Sequence, residues 1–520
     1  MFGGLTKTSS RIAIAAALGM VLGGYALTSP AKAGDVGGDC CADLEERVAE
    51  LEATTVRKGN KKVSVTLSGW VVKSINWWDD GRRGNFAVGD KDYDLGTRFA
   101  VTGSATIAPG WSGGYNITVT APGTTYGIRS NDVDEYQSVN GDLYGSSFGA
   151  INTLYSYGYI KSDTYGTLNW GHLSPASDNP AVLADASGTV IESNFVFFEG
   201  GGFALRDQTG TAGGSWNSFA LCSSAVAPGA DCFGAAEPAI RYDSPTWGDF
   251  RFETSYGTAD VVPAILDADA SKSLNPILRD HPTTSNSNFW DAAAFYNDDW
   301  GSFKVSAAYA FTWLESNPLN GGEEQIHQAG ATIMHTPSGL GVYAMGNWED
   351  VGSANNSRCP GGFAVTGTST VTPVGGVSPA DDVTVQSGAN VGSCLVPVGL
   401  PDTDMWGVKP FIQSNWTPLG KTILYGEYAQ YNDYFGLALA QGLGSGFDNC
   451  ASGDCTIRGS QLDRYGLGVV QEIDSAAMHL WLRWQHQELD INLRDNVSGG
   501  GVNQGFKDFN LFQGGGIWFF

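Results

Sequence analysis

Basic residues are scarce in this chain of 520 residues, where 29 Lys and Arg stand against 54 Asp and Glu and the formal net charge is −25. Nucleic-acid binding depends on clustered Lys and Arg, so nucleic acid is excluded as a partner. Charged residues of both signs make up only 16% of the chain, while 12% is aromatic. This composition excludes disorder, and it differs from that of an ordinary cytosolic protein.

Long hydrophobic runs are also missing. After the first 33 residues, no stretch approaches the roughly 18 consecutive apolar residues that indicate a membrane-spanning helix, which excludes a helical membrane protein. A transmembrane β-barrel is not excluded, because its strands alternate lipid-facing with lumen-facing residues and give a weak hydropathy signal. Alternation with a period of two is therefore the pattern to test.

Motifs of enzymes and of metal sites are absent as well. The six histidines show no HExxH spacing, no Walker phosphate loop occurs, and no CxxC pair lies near a histidine. The sequence therefore predicts no catalytic residue, no metal and no cofactor.

The first 33 residues have the pattern of an export signal. Lys7 and Arg11 precede an apolar run broken by glycines, and Ala31 and Ala33 supply the small residues of a cleavage site. The run is shorter than the roughly 20 residues of a spanning helix. We therefore expect residues 1–33 to be removed and the mature protein to lie outside the cytoplasm.

Residues 34–60 have a helical pattern of their own. Cys41, Leu44, Val48 and Leu51 are spaced three, four and three residues apart, as in the seam of a coiled coil. So short a seam does not associate by itself, but subunits already joined as a trimer would bring three such helices together at high effective concentration. The second interpretation is a periplasmic amphipathic helix that lies on one subunit.

Strict alternation begins near residue 63 and recurs along the chain. In residues 63–78, Val65 and Leu67 lie on one face while Thr66 and Ser68 lie on the other. The same pattern occurs in 97–107, 303–313 and 478–487. One such strand also fits a half-buried soluble sheet, so it is the repetition that indicates a barrel.

Short turns and long loops alternate between these strands. Turns rich in Pro, Gly, Asp and Asn occur at 108–111, 163–166, 244–248, 297–301, 336–339, 417–420 and 473–476. Long polar segments occur at 79–90, 122–149, 174–236, 258–288, 314–324, 350–403, 435–459 and 493–503. Seven turns and eight loops predict an all-β fold, a sixteen-stranded antiparallel transmembrane β-barrel over residues 61–520, with both ends on the side of the short turns.

Six cysteines occur in pairs, and each pair falls within one predicted loop. Cys222 and Cys232 lie in the third long loop, Cys359 and Cys394 in the sixth, and Cys450 and Cys455 in the seventh. In an exported chain this arrangement favours disulfides within each loop. The sequence leaves the connectivity open.

Two stretches resemble the strand–turn–strand units of trimeric Gram-negative porins, namely 240–257 (IRYDSPTWGDFRFETSYG) and 159–171 (YIKSDTYGTLNWG). The last strand, with Phe512, Trp518 and Phe520 on one face, also fits an aromatic girdle. The chain thus resembles an alphaproteobacterial-type general porin. The resemblance implies a homotrimer in the lipid of the outer membrane, passive diffusion of small hydrophilic solutes and ions, and a third long loop folded into the channel.

This third loop is the predicted constriction. Its first part carries acidic residues and no Lys or Arg, and these acidic residues are Asp178, Asp185, Glu192 and Glu199. Alternation places Arg98, Arg464 and Arg483 on the lumen face near mid-height, so we expect a basic wall opposite the acidic loop. Rings of charge set ion preference, and the negative net charge predicts a weak preference for cations.

Two other functions stay open from the sequence. Trp70, Trp78 and Trp481 fall on the lumen face, where aromatic rings can stack on sugars, so a substrate-specific channel is one alternative. The two longest loops, 174–236 and 350–403, would also suit a structural or adhesive surface barrel, which predicts no conductance.

Overall fold

The computed structural model describes most of the chain from residue 62 onwards. The described residues are 62–91, 96–121, 152–195, 200–201, 203–210, 212–220, 236–259, 287–315, 323–351, 384–385, 397–398, 402–435, 455–495 and 497–520. The predicted export signal and coiled coil lie outside them, as do Glu199, Cys222, Cys232, Cys359, Cys394 and Cys450. The residues that alternate between apolar and polar in the sequence lie almost entirely in β-strands.

The strands are long and follow one another closely along the chain. The first eleven are β1 (Ser64–Asp79), β2 (Gly84–Gly89), β3 (Arg98–Ala108), β4 (Trp111–Thr120), β5 (Asn152–Ser162), β6 (Gly166–Leu173), β7 (Ala204–Arg206), β8 (Ala212–Ser215), β9 (Glu237–Asp243), β10 (Phe250–Ala259) and β11 (Ser287–Trp300). The others are β12 (Phe303–Leu314), β13 (Glu324–His335), β14 (Leu340–Val351), β15 (Thr384–Val385), β16 (Pro397–Val398), β17 (Thr403–Thr417), β18 (Gly420–Asn432), β19 (Cys455–Ile473), β20 (Met478–Asp495), β21 (Gly501–Gly505) and β22 (Phe509–Phe519).

Eighteen of these strands form one antiparallel sheet that closes into a sixteen-stranded barrel. Each wall strand pairs with the next along the chain, and β1 pairs with β22 from Trp70–Phe519 to Asp79–Asn510. Closure pairs the first wall strand with the last, so that among the described residues the seam between β1 and β22 has no open edge, as a bilayer requires. The predicted fold class is therefore confirmed.

Eighteen segments give sixteen strands because two wall strands are each broken in two. The upper part of β1 pairs with β2 and its lower part with β3, so the second wall strand is interrupted between Gly89 and Arg98. Likewise β20 pairs first with β22 and then with β21, with one extra residue in the connection. β7 with β8, and β15 with β16, form two separate small sheets.

Large apolar side chains face outwards. On β11, Trp290 and Trp300 are both exposed and lie ten residues apart. At about 3.4 Å per residue and a strand tilt of about 40°, they are separated by about 25 Å along the barrel axis, the height of a lipid-facing band. Among the described residues, no helix is long and apolar enough to cross a membrane.

The predicted turns lie where the sequence placed them. The seven short connections join β3–β4, β5–β6, β9–β10, β11–β12, β13–β14, β17–β18 and β19–β20. Glycine is required at one of them, since Gly339 has a φ of 70° and a Cβ there would lie 1.8 Å from the carbonyl oxygen of Gln413. Several boundaries differ. Cys455 begins β19, although the loop was predicted to run to residue 459, because the β19–β20 hairpin extends to the pair Cys455–Asp495. The predicted loop 79–90 contains β2, because residues 84–89 pair with β1. The predicted turn 297–301 is mostly strand, because β11 continues to Trp300, and the predicted loop 493–503 overlaps the end of β20 and the start of β21.

Candidate functional site

The connection between β6 and β9 enters the barrel, as its described residues 174–195, 200–201, 203–210 and 212–220 show. In its first stretch, 174–195, nearly every residue is buried. Side chains from β9 through β20 bond to it in succession, as the following contacts show. We call residues 174–195 the inner loop.

The inner loop is first anchored at Asp291 of β11, which is fully buried. One carboxylate oxygen accepts hydrogen bonds from the backbone N–H and the hydroxyl of Ser177, at 2.9 and 2.8 Å. The other accepts the N–H and the hydroxyl of Ser255. Four donors compensate a carboxylate that burial alone would disfavour strongly.

A one-turn helix, Pro180–Leu183, packs next against β13 and β14. Gln328 accepts the N–H of Ala181 at 2.9 Å, and the hydroxyl of Tyr343 donates to the carbonyl oxygen of Ala181 at 2.8 Å. Gly330 lies beneath this turn, and a Cβ there would come within 2.2 Å of the same carbonyl oxygen. The loop and the wall are therefore in direct backbone contact.

Lys409 of β17 is the next anchor, and its side chain is 0% exposed. Its ammonium donates to Asp185 Oδ2 at 2.9 Å, to Thr189 Oγ1 at 3.2 Å and to the carbonyl oxygen of Ser193. It also lies 5.6 to 5.8 Å from the ring centres of Phe195, Tyr343 and Tyr425. All three ammonium hydrogens are therefore used to hold the loop.

Glu427 of β18 joins the loop to two further strands. It accepts hydrogen bonds from the Ser193 hydroxyl and, at 2.7 Å, from the side-chain amide of Gln485. The guanidinium of Arg464 lies 3.4 Å from Glu427 and donates to the carbonyl oxygen of Asn194 at 2.6 Å. The basic group thus bonds both to the wall and to the loop backbone.

Glu192 bonds to β20 through its side chain and through its backbone. Its carboxylate lies 2.7 Å from Nδ1 of His479, and its carbonyl oxygen accepts a hydrogen bond from Arg483 at 2.8 Å. All three residues are buried. The carboxylate therefore lies between loop and wall.

Further along, residues 200–220 complete the circuit to the first strand. Arg206 pairs with Asp80, just after β1, at 2.8 Å. Phe203 packs between Trp78 and Phe509, with ring centres 5.2 and 4.7 Å apart. The connection therefore contacts wall strands from β9 round to β1.

Asp178 lies beside a group of charged residues on β9 and β10. Arg241 donates to the carbonyl oxygen of Ser174 at 2.6 Å and pairs with Asp243 at 2.8 Å. Burial raises the pKa of Asp178 to about 7, and Asp291 adds to this effect, while the Ser174 hydroxyl and Arg241 oppose it. The carboxyl group is therefore poised to titrate near neutral pH.

Substituting Asp178 by Asn is expected to remove a pH dependence of ion selectivity. As the pH falls through about 7, the native carboxyl takes up a proton and one negative charge at the inner loop is lost, so any selectivity for cations should weaken. Reversal potentials under a salt gradient at about pH 8 and about pH 6 should differ less in D178N than in the native protein. Asp163→Asn, in an exposed turn, is the control, and an equal pH response in D178N and the native protein would contradict the assignment.

The raised pKa of Asp178 also affects the stability of the protein. The folded-state pKa of Asp178 lies above its ordinary value of 3.8, so the folded state binds the proton more tightly than the unfolded state does. Stability should therefore fall as the pH rises from about 4 to about 7. D178N should lack this part of the fall in a denaturant titration.

The structure brings most of the sequence-predicted site residues together at the loop. Asp185, Glu192, Arg464 and Arg483 all take part in loop–wall contacts. Arg98 is 3% exposed, and its guanidinium lies 4.8 Å from the ring centre of Trp70. Glu199 lies outside the described residues.

Sequence reasoning missed five wall residues that bond to the loop: Asp291, Gln328, Tyr343, Lys409 and Glu427. Lys409 could have been found, because it shares the lumen face of β17 with Met405, Gly407 and Phe411. Asp291 and Gln328 gave no signal of their own, since their loop partners Ser177 and Ala181 are distant from them in the chain. Within the described part of the chain, the His/Asp/Glu group with spacing suited to a metal is on the outer surface, at His486, Glu488 and Asp508.

Comparisons with known proteins found one matching family model and a set of similar solved structures. A family model described as Gram-negative porin matches residues 15–448. Among solved structures, the anion-selective porin from Comamonas acidovorans is 14% identical, with a TM-score of 0.45 and coverage of 88% of this chain and 100% of that one. OprB of Pseudomonas putida is 9% identical, with a TM-score of 0.47 and coverage of 92% and 97%. The trimer form of OmpT of Vibrio cholerae is 11% identical, with a TM-score of 0.43 and coverage of 88% and 100%. No curated protein sequence matches the chain.

Proposed function

Because this chain belongs to the Gram-negative porin family, we propose that it forms a water-filled outer-membrane channel for passive diffusion of small hydrophilic solutes and ions, with a weak preference for cations. A barrel of sixteen strands is wide enough to enclose an aqueous lumen. No bond is made or broken, so the structural task is to set the width of the lumen and the field within it.

The inner loop, bonded to the wall over most of the circumference, is the observation that carries this proposal. We assign the constriction to the third long loop, with Asp178, Asp185 and Glu192 of the inner loop and Glu199 beyond it as the acidic groups. Arg98, Arg464 and Arg483 of the wall are the basic groups. Because Arg464 and Arg483 donate to loop carbonyl oxygens, they fix the loop as well as contributing positive charge. A loop held in this way gives a constriction of constant size.

The proposed cation preference rests on the sign of the buried groups. Around Arg241 and Arg251 lie four carboxyl groups, those of Asp178, Asp243, Glu253 and Asp291. Partly desolvated charges act over longer distances than charges in water. When these carboxyl groups are ionised, as Asp178 is above a pH of about 7, their excess over the two arginines favours cations in transit.

We further propose that the barrels assemble as a homotrimer in outer-membrane lipid. Residues 34–60 support this, since a seam of two heptads gains stability only when other contacts hold three copies close together. The sugar-specific alternative receives less support. Trp70 and Trp78 are fully buried, and Trp78 packs on Phe203, so neither ring is free to stack on a solute.

Single-channel recording of the folded protein in planar bilayers tests the proposal. We expect large conductance steps arriving in groups of three. We also expect a reversal potential whose sign shows that cations pass more readily than anions. Small steps blocked by a sugar would instead indicate a specific channel. Silence from protein whose folding is shown by heat-dependent migration on a gel would indicate a structural or adhesive barrel.

A further inference from the structure

Three side chains form a compact group on the outer surface of the barrel, away from the lumen. His486 and Glu488 lie two residues apart on β20, so they share its outward face. Asp508 lies in the connection between β21 and β22. We call His486, Glu488 and Asp508 the rim triad, because it lies at the end of the closed wall opposite the short turns.

The fold brings Asp508 to this position through the break in the last wall strand. β20 pairs with β22 up to Gln487–Phe509 and resumes with β21 at Asp490–Gly505. Between these two pairs, the connection from β21 to β22 has three residues, 506–508, opposite two residues of β20, 488–489. Such bulges re-aim side chains, and here Asp508 lies within reach of the histidine.

Hydrogen bonds fix the state of the imidazole. Nδ1 of His486 lies 2.8 Å from the side-chain oxygen of Asn510, which also accepts the indole N–H of Trp484 at 3.2 Å. Because that oxygen can only accept, Nδ1 carries a proton and donates it. In the neutral ring, Nε2 therefore presents its lone pair.

That lone pair points at negative charge. Nε2 lies 3.1 Å from Oε1 of Glu488 and 3.7 Å from Oδ2 of Asp508. Three lone-pair donors facing one another repel unless a proton or a metal cation lies between them. The hydroxyl of Tyr465 also donates to the same oxygen of Glu488, at 2.6 Å, and holds it in place.

From this arrangement we infer that the rim triad is a binding site for a divalent metal of the zinc class. Zn²⁺ bonds of about 2.0–2.2 Å to nitrogen and oxygen place tetrahedral ligands about 3.3–3.6 Å apart, and the three donor atoms here all lie within 4.8 Å of one another. A ligating histidine that donates its other N–H to an oxygen is the usual supporting arrangement. The imidazole disfavours Ca²⁺ and Mg²⁺, which prefer oxygen ligands only.

The exposure of the three side chains of the rim triad is suited to a metal site. Glu488 and Asp508 have side chains that are 49% and 57% exposed, whereas that of His486 is 13% exposed. The metal would therefore be held by a well-packed histidine and reached from solvent past the two carboxylates. Water would complete its coordination.

Calorimetric titration of the full-length folded protein in detergent with Zn²⁺, after treatment with a chelator, tests the inference. We expect the native protein to bind one more Zn²⁺ per chain than His486→Ala does, and an excess of Ca²⁺ not to compete. Asn510→Ala keeps the three ligands but loses the bond to Nδ1, so its affinity should fall by about 10-fold to 100-fold.

The matched control is His327→Ala. His327 also lies on the outward face of a strand, and the hydrogen-bond partner of its ring is the Tyr309 hydroxyl. Heat-dependent gel migration verifies that each variant is folded. Equal Zn²⁺ stoichiometry and affinity in the native protein and in His486→Ala would overturn the inference and leave the ring as an imidazolium paired with the carboxylates. Conductance plays no part in this test, so its outcome is independent of the proposed channel.

Discussion

Replacing Lys409 by methionine is expected to lower the free energy of unfolding by about 3–5 kcal/mol, because breaking a buried ion pair leaves a charge without its partner. The carboxylate of Asp185 would remain in a site from which water is excluded. The carbonyl oxygen of Ser193 and the hydroxyl of Thr189 would lose their donor as well. Guanidinium titration followed by tryptophan fluorescence measures the loss.

The same substitution should increase the single-channel conductance and its fluctuations. Lys409 holds the middle of the inner loop, between the anchors at Asp291 and Glu427. Without it, the loop loses its contact with β17, and the constriction becomes wider and less constant. Planar-bilayer recording at fixed salt concentration shows the change.

Two further variants separate the charge effect from a general effect of substitution. Asp185→Leu combined with Lys409→Met removes both charges, and exchanging a buried pair for apolar residues is often neutral, so much of the stability should return. Lys421→Met changes a lysine of the neighbouring strand β18 whose hydrogen bond goes to Gln413 of β17. The role of Lys409 would be refuted if Lys421→Met and Lys409→Met had equal effects on conductance.

Gly330→Val is expected to displace the same loop without any change of charge. The new side chain would start 2.2 Å from the carbonyl oxygen of Ala181, so the turn 180–183 must move away from β13. Overpacking of this kind costs about 1–3 kcal/mol. Conductance should again increase, because the turn would no longer lie on the wall.

The neighbouring residue supplies a matched control. Ala331 lies on the same strand with its side chain exposed on the outer face, so Ala331→Val adds the same side chain facing lipid. It should leave conductance and thermal stability close to native values. A normal conductance in Gly330→Val together with native stability would show that the turn does not contribute to the constriction.

The two substitutions act on one segment, so their effects should not add. Ala181 and Asp185 belong to the same short stretch of the inner loop, and once one contact is broken the other is weakened. The double variant Gly330→Val/Lys409→Met should therefore be less destabilised than the sum of the single effects.

Much of the fold could be predicted from sequence because a barrel wall is a local pattern. Alternation assigned Trp70 and Trp78 to the lumen face, and both are buried there. Turn residues placed all seven short connections. The breaks in two wall strands were not predicted, since they depend on which residues of β2 and β3 pair with β1, and no residue type marks that pairing.

The candidate site was predicted only in part. The alternation of side chains along the strands identified Arg464 and Arg483, and the charge of the third loop identified Glu192. Each of them lies at the loop–wall contact. Their partners were not predictable, because Arg464 and Arg483 donate to backbone carbonyl oxygens, which carry no residue-specific signal. The rim triad was missed for a similar reason: Asp508 reaches His486 only through a bulge in the pairing.

The sequence by itself determined the class of the protein, the number of strands and the face to which each wall residue belongs. These follow from a period of two and from turn chemistry, which act over a few residues. The tertiary structure decided the path of the inner loop, the role of Lys409 as its anchor and the grouping of the rim triad. Each of these depends on contacts between residues far apart in the chain, such as Asp185 with Lys409, and closure of the barrel brings them together.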